Sequence, residues 1–130
     1  MTDVALKHEV LKWLNNILEL NIPSLEDAAS GAIACQLLDV LYPNRVPMSK
    51  VNWSARESHE FLTNYKILIT CLSDLRIDKS IDLNKMIHAR PKDILELLQW
   101  FRIKFNVLGV TSPENYDCFI QRAKGKGTRK

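Results

Sequence analysis

The sequence contains little glycine and cysteine, and it has no long apolar run. Only four of its 130 residues are glycine, so it offers few of the tight backbone turns that hold cofactors. It has three cysteines and no CxxC pair, which excludes a disulfide framework and does not suggest a zinc site. Its apolar runs extend over only a few residues, too few to span a bilayer. We therefore expect a globular domain without a membrane span.

The chain has enough apolar material to form a buried core. Hydrophobic residues make up 46% of the sequence and charged residues 25%, which fits one globular domain of this length. The N-terminus has no apolar segment of the signal-peptide type, so we expect an intracellular protein. Cys35 and Cys71 lie in apolar stretches, and we expect both to be buried, reduced thiols.

Charge is distributed unevenly along the chain. Residues 1–44 carry a net charge of −4, and residues 45–104, with eleven basic and seven acidic side chains, carry +4. Residues 105–119 carry −2, and residues 120–130 carry +5 with no acidic side chain. A basic region on an otherwise acidic body favours an anionic partner and accelerates encounter with it. Charge alone leaves nucleic acid, anionic lipid and an acidic protein surface open as partners.

The apolar pattern predicts an all-α fold. Apolar residues recur at three- and four-residue spacing in four stretches, around residues 6–17, 32–42, 61–75 and 94–105. These stretches predict four main helices, with two or three short helices between and after them. Pro91 and Gly109 are placed to begin and end the last main helix. Ser54 and Glu57 have the spacing of a capping box, which predicts that the longest helix begins there.

The same pattern divides the chain into two parts. We expect a helical domain over residues 1–120 and a basic, flexible tail or linker over residues 121–130, because the tail has no core-forming side chains.

Sequence signatures of catalysis are absent. The chain has no GxGxxG, GxSxG or HExxH motif, and none of its three histidines has a second histidine at helical spacing. We therefore expect a protein that is not an enzyme, with no catalytic residue, no metal site, no cofactor and no small-molecule substrate.

Four stretches of the chain resemble the end-binding (EB) family of microtubule plus-end tracking proteins. They are residues 7–15 (KHEVLKWLN), 30–43 (SGAIACQLLDVLYP), 59–68 (HEFLTNYKIL) and 98–101 (LQWF). Their order and spacing agree with the family over roughly residues 6–108. The resemblance implies a calponin-homology domain, which is an all-α fold. It also implies a module that binds microtubules, recognises their growing plus ends and regulates their dynamics, and therefore a location in the cytoplasm at plus ends and on the spindle.

The resemblance also implies a set of tubulin-binding residues. Matched position by position, they are His8, Lys50, Arg56, Lys66, Lys79, Lys85, Arg90 and Glu96. Lys92, one of the basic residues of the middle region, is predicted as a ninth. Arg56 matches a basic residue in the first turn of the long helix. Two places depart from the family pattern: Ser49 replaces the first lysine of a pair, and Pro91 and Lys92 replace an aromatic–glutamine pair.

The sequence also bears on the oligomeric state and on partners other than tubulin. The resemblance implies that the full-length protein is a homodimer joined by a coiled coil absent from this chain. An actin-binding or a kinetochore or ciliary calponin-homology domain is the alternative within the same fold. Nucleic-acid binding is disfavoured because Lys92, Arg102 and Lys104 do not form one stripe. Membrane binding is disfavoured because residues 120–130 lack an apolar face.

Overall fold

The computed structural model of the protein describes residues 3–111 and 115–127. These residues form six α-helices and two short 3-10 turns. The helices are α1 (Asp3–Leu18), α2 (Ala32–Leu41), α3 (Ser58–Asp74), α4 (Leu83–Ile87), α5 (Pro91–Leu108) and α6 (Cys118–Ala123), and the turns are Leu25–Ala28 and Met48–Lys50. The predicted all-α class with four long helices is confirmed. Among the described residues, no helix combines the length and apolar character needed to cross a membrane.

Helix α2 forms the centre of the core. Nine of its ten residues are buried, and it packs against α3 and α5, while α5 also packs against α1. The largest fully buried side chains around it are Tyr65, Phe101 and Phe105. All three cysteines are buried and form no disulfide bond, as expected for Cys35 and Cys71. Burial raises the pKa of each thiol.

The ends of α5 lie where the sequence predicts them. Pro91 occupies the first turn, where its missing N–H has no helical partner to lose, and Asp93 follows in the same turn. Gly109 ends the helix in the left-handed conformation at φ 71°, and its N–H is bonded to the last turn.

The beginning of α3 differs from the prediction. The capping box is formed by Glu57 and Glu60, so the helix begins at Ser58 and not near Ser54. Ser54 is unavailable as a cap because its N–H and its hydroxyl both donate to the side-chain oxygen of Asn52, at 3.0 and 2.9 Å. As a result Arg56 precedes the helix instead of lying in its first turn.

The C-terminal segment also differs from the prediction. The boundary at residue 120 cuts through α6, and Arg122 is 7% exposed instead of belonging to a free tail. Its guanidinium donates to the carbonyl oxygens of Leu18 and Glu19 at the end of α1, at 2.7 and 3.2 Å, and to Gln36 Oε1 at 3.0 Å. Residues 124–127 continue along the domain surface, and residues 128–130 of the predicted tail lie outside the described part of the chain.

A polar network joins α6 to α2. The Tyr116 hydroxyl donates to Asp39, and the Gln36 amide donates to the carbonyl oxygen of Cys118 at 3.0 Å. Burial raises the pKa of Asp39, while the bond from Tyr116 and the positive charge of Lys124 oppose that rise. These contacts make α6 an integral part of the domain.

Candidate functional site

The first half of α5 borders an open cleft that contains several of the predicted binding residues. The α1–α5 cleft has a volume of about 890 Å³, and Leu6 and Lys7 form its wall on α1. The opposite wall of the cleft is formed by α5 and by the residue that precedes this helix, namely Arg90, Pro91, Lys92, Leu95, Glu96, Gln99, Trp100 and Ile103. Apolar side chains therefore form much of this cleft, and cationic side chains lie among them.

A second cleft adjoins the first across Glu96, which lines both. The α4–α5 cleft is smaller, about 160 Å³, and includes Lys79 and Lys85. The Nζ atom of Lys79 lies 5.8 Å from the ring centroid of Trp100, so a cation–π contact connects the two clefts. Asp82 is held in this region as the cap of α4, where its side chain accepts from the N–H of Lys85 at 3.2 Å.

His8 belongs to the same surface. It lines a third cleft, between α1 and the turn Leu25–Ala28, and Lys7 and Pro91 line both this cleft and the α1–α5 cleft. The packing of α1 against α5 thus brings His8 close to residues more than eighty positions away in sequence.

The structure gathers six of the nine predicted binding residues around the first half of α5. They are His8, Lys79, Lys85, Arg90, Lys92 and Glu96, and we call this set the α5 surface. Its cations are exposed or half-buried. The carboxylate of Asp93 lies 3.7 Å from Arg90 Nε, as an ion pair between residues three positions apart at the start of α5.

The other three predicted residues lie on or near α3. Arg56 lies two residues before Ser58, whose hydroxyl at the start of α3 donates to the carbonyl oxygen of Ile87 at the end of α4, at 3.4 Å. Lys66 is exposed on α3, and Lys50 is exposed at the end of the turn Met48–Lys50. Neither lysine lines the three clefts described above.

Lys7 is a candidate that the sequence analysis did not select. Its side chain is exposed and lines the α1–α5 cleft opposite Arg90 and Lys92, so it adds a further cation to the α5 surface. The only signal in the sequence was its position next to His8.

Three side chains at the start of α3 lie close enough to share an ion. The ligand atoms of Glu57, His59 and Glu60 lie within 4.8 Å of one another. Both oxygens of Glu60 already accept hydrogen bonds: Oε1 from the N–H groups of Arg56 and Glu57, and Oε2 from Asn52. The two backbone bonds lower the pKa of Glu60, and we assign this group to helix capping.

Comparisons with known proteins identify the family and the fold of the chain. The model of the calponin homology (CH) domain family matches residues 5–106. Two Arabidopsis thaliana proteins, microtubule-associated protein RP/EB family members 1B and 1A, are each 40% identical to the chain, over 120 and 119 residues. The alignments cover 92% and 91% of this chain but only 41% and 43% of those proteins. The chain therefore spans about two fifths of the length of the curated relatives it matches.

A solved structure matches over nearly its whole length. It comes from work described as "Structural Basis of Microtubule Plus End Tracking by XMAP215, CLIP-170 and EB1". The match has a TM-score of 0.81 and 36% identity, and it covers 91% of this chain and 98% of the solved one.

Proposed function

The chain belongs to the calponin homology family, as a domain of the RP/EB type, and on that premise we propose that it binds microtubules and recognises their growing plus ends. The observation that carries this proposal is the 36% identity with the solved chain over 98% of that chain's length. We propose that the domain regulates microtubule dynamics and acts in the cytoplasm, at plus ends and on the spindle. The coiled-coil homodimer expected of the full-length protein remains part of the same proposal.

Binding, and not catalysis, is the proposed activity. The calponin homology family is a family of binding modules and not of enzymes. The α5 surface offers what such a module needs, namely cations spread over a face that also exposes apolar side chains. Each exposed pair with a tubulin carboxylate contributes roughly 0–1 kcal/mol, so affinity requires several such pairs together.

Co-sedimentation tests the proposal directly. We expect the chain to pellet with taxol-free microtubules and not with filamentous actin, and a fluorescent form to be enriched at growing ends over the lattice. Pelleting with filamentous actin but not with microtubules would favour the actin-binding alternative. Binding to neither filament would contradict the proposed function.

Charge reversal tests the residue assignment. We expect Lys79→Glu and, separately, Arg90→Glu to weaken microtubule binding about tenfold, because each removes an attraction and adds a repulsion of similar size. Lys12→Glu is the matched control, since Lys12 is an exposed lysine on α1 outside the predicted set. Affinity is measured by co-sedimentation, with helicity checked by circular dichroism. Equal affinities for all three variants would remove these two residues from the site.

Raised salt is expected to weaken binding. The attraction acts between exposed charges, and the screening length shortens from about 10 Å at 0.1 M salt to about 3 Å at 1 M. We therefore expect a steady loss of affinity as potassium chloride is raised, measured by co-sedimentation at fixed temperature. An affinity that does not change with salt would contradict an electrostatic surface.

A further inference from the structure

The segment that follows α6 is bound to the loop that precedes α3. The N–H of Lys126 donates to the carbonyl oxygen of Val51 at 2.8 Å, and the N–H of Trp53 donates to the carbonyl oxygen of Lys126 at 2.7 Å. Together these bonds form a parallel bridge between Lys126 and Asn52. The backbone of Lys126 is thus held from both sides, and its direction is fixed.

Two glycines make this close approach possible. A Cβ atom on Gly125 would lie 2.6 Å from Trp53 Cδ1 and 2.8 Å from the carbonyl oxygen of Val51, both closer than real contacts allow. A Cβ atom on Gly127 would lie 2.5 Å from Ser54 Cβ, and this glycine has a φ of +70°, which other residues rarely adopt. The glycines therefore serve docking at a fixed position and not chain flexibility.

Arg122 fixes the other end of the segment. Hydrogen bonds from its guanidinium attach α6 to the end of α1 and to Gln36. The N–H of Gly125 donates to the carbonyl oxygen of Arg122 at 3.0 Å. Only three residues separate this anchor from Lys126. The path of the chain between them is consequently short and attached at both ends.

Docking places a cation on the loop that carries two of the three predicted binding residues outside the α5 surface. The side chain of Lys126 is exposed, and its backbone pairs with Asn52, two residues from the exposed Lys50. The same loop leads on to Arg56. A cation from the C-terminal segment and two predicted tubulin contacts therefore occupy one part of the domain.

We infer that Lys126 is a further contact with the acidic surface of the microtubule, held in place by the docking of residues 124–127. The inference rests on the proposed function, because the partner is the same. It differs from the expectation of a free basic tail in one respect: the contribution of Lys126 depends on the docked backbone as well as on its charge.

Neutralising the lysine tests the contact. We expect Lys126→Gln to weaken microtubule binding about threefold, the size of one exposed ion pair. Lys12→Gln removes the same charge elsewhere on the surface and is expected to leave affinity unchanged within error. Equal affinities for these two variants would overturn the inference. If the unaltered chain did not bind microtubules, the proposed function itself would fail, and the two failures are therefore distinguishable.

Releasing the segment tests the role of docking. Gly125→Val keeps every charge but places side-chain atoms where Trp53 and Val51 now lie, so we expect it to weaken binding at least as much as Lys126→Gln. The double variant decides the mechanism, because Lys126→Gln should have little further effect once the segment is released. An undiminished effect in the Gly125→Val background would mean that the lysine acts as a free charge, which would also overturn the inference. Thermal unfolding of each variant ensures that binding is compared well below the melting temperature.

Discussion

Replacing Arg122 with methionine is expected to lower the free energy of unfolding by about 3 kcal/mol. Methionine retains much of the apolar stem but removes the donors to the carbonyl oxygens of Leu18 and Glu19 and to Gln36. A buried acceptor left without its partner costs about 1–3 kcal/mol, and more where the lost donor was charged. Burial lowers the pKa of Arg122, which reflects the cost of removing a guanidinium from water and makes its hydrogen bonds essential.

Urea unfolding followed by circular dichroism measures this loss. Arg102→Met is the matched control, because Arg102 is about one-third exposed and its contact with Glu9 is long, 3.9 Å. Such a surface pair contributes little, so we expect a change of less than about 1 kcal/mol. Similar midpoints for the two variants would contradict the structural role assigned to Arg122 and would favour the predicted tail that begins at residue 121.

The long helices were predictable because their information is local. Apolar residues at helical spacing define the buried stripes, and Pro91 and Gly109 act through their own backbone preferences. The start of α3 was not predictable in this way. Ser54 with Glu57 and Glu57 with Glu60 both have the spacing of a capping box. The second pair forms the cap because the Ser54 hydroxyl donates to the side-chain oxygen of Asn52 instead.

The C-terminal segment could not be predicted from composition. An arginine followed by lysines and glycines is typical of a solvated tail, and no periodic pattern indicates burial. The partners of Arg122 are carbonyl oxygens and an amide from α1 and α2, about ninety to one hundred positions earlier in the chain. Gly125 and Gly127 lie in the segment predicted to be a flexible tail, but the structure requires glycine at both positions because the backbone approaches the loop before α3 closely there.

The α5 surface depends on tertiary contacts for the same reason. His8 and Arg90 share no local pattern, and only the packing of α1 against α5 brings their clefts together. Periodicity could not place the basic residues on one face, so the resemblance to the EB family supplied the site prediction. That resemblance did not select Lys7, and Lys126 lies beyond residues 6–108, over which the resemblance extends. Their places beside the α1–α5 cleft and the loop before α3 come from the structure.

Replacing Asn64 with leucine is expected to cost about 4 kcal/mol of stability. The side chain is fully buried, and it connects α3 to two other segments. Its Nδ2 group donates to the carbonyl oxygens of Ser30 and Asn52, each at 2.9 Å, and its Oδ1 atom accepts from the N–H of Asn52 at 2.9 Å. Leucine has a similar volume but would leave three backbone groups without partners in a buried site.

Two measurements distinguish this loss from a general packing defect. Urea unfolding gives the stability change, with the exposed Asn16→Leu on α1 as a control expected to change stability by less than about 0.5 kcal/mol. Hydrogen exchange locates the change, because the Asn52 N–H is bonded to Asn64 and should exchange much faster in the variant. A loss of about 4 kcal/mol with selective exposure of the loop before α3 is the expected result. A variant as stable as the control, or one whose Asn52 N–H remained protected, would show that this side chain does not hold the loop that carries Lys50 and pairs with Lys126.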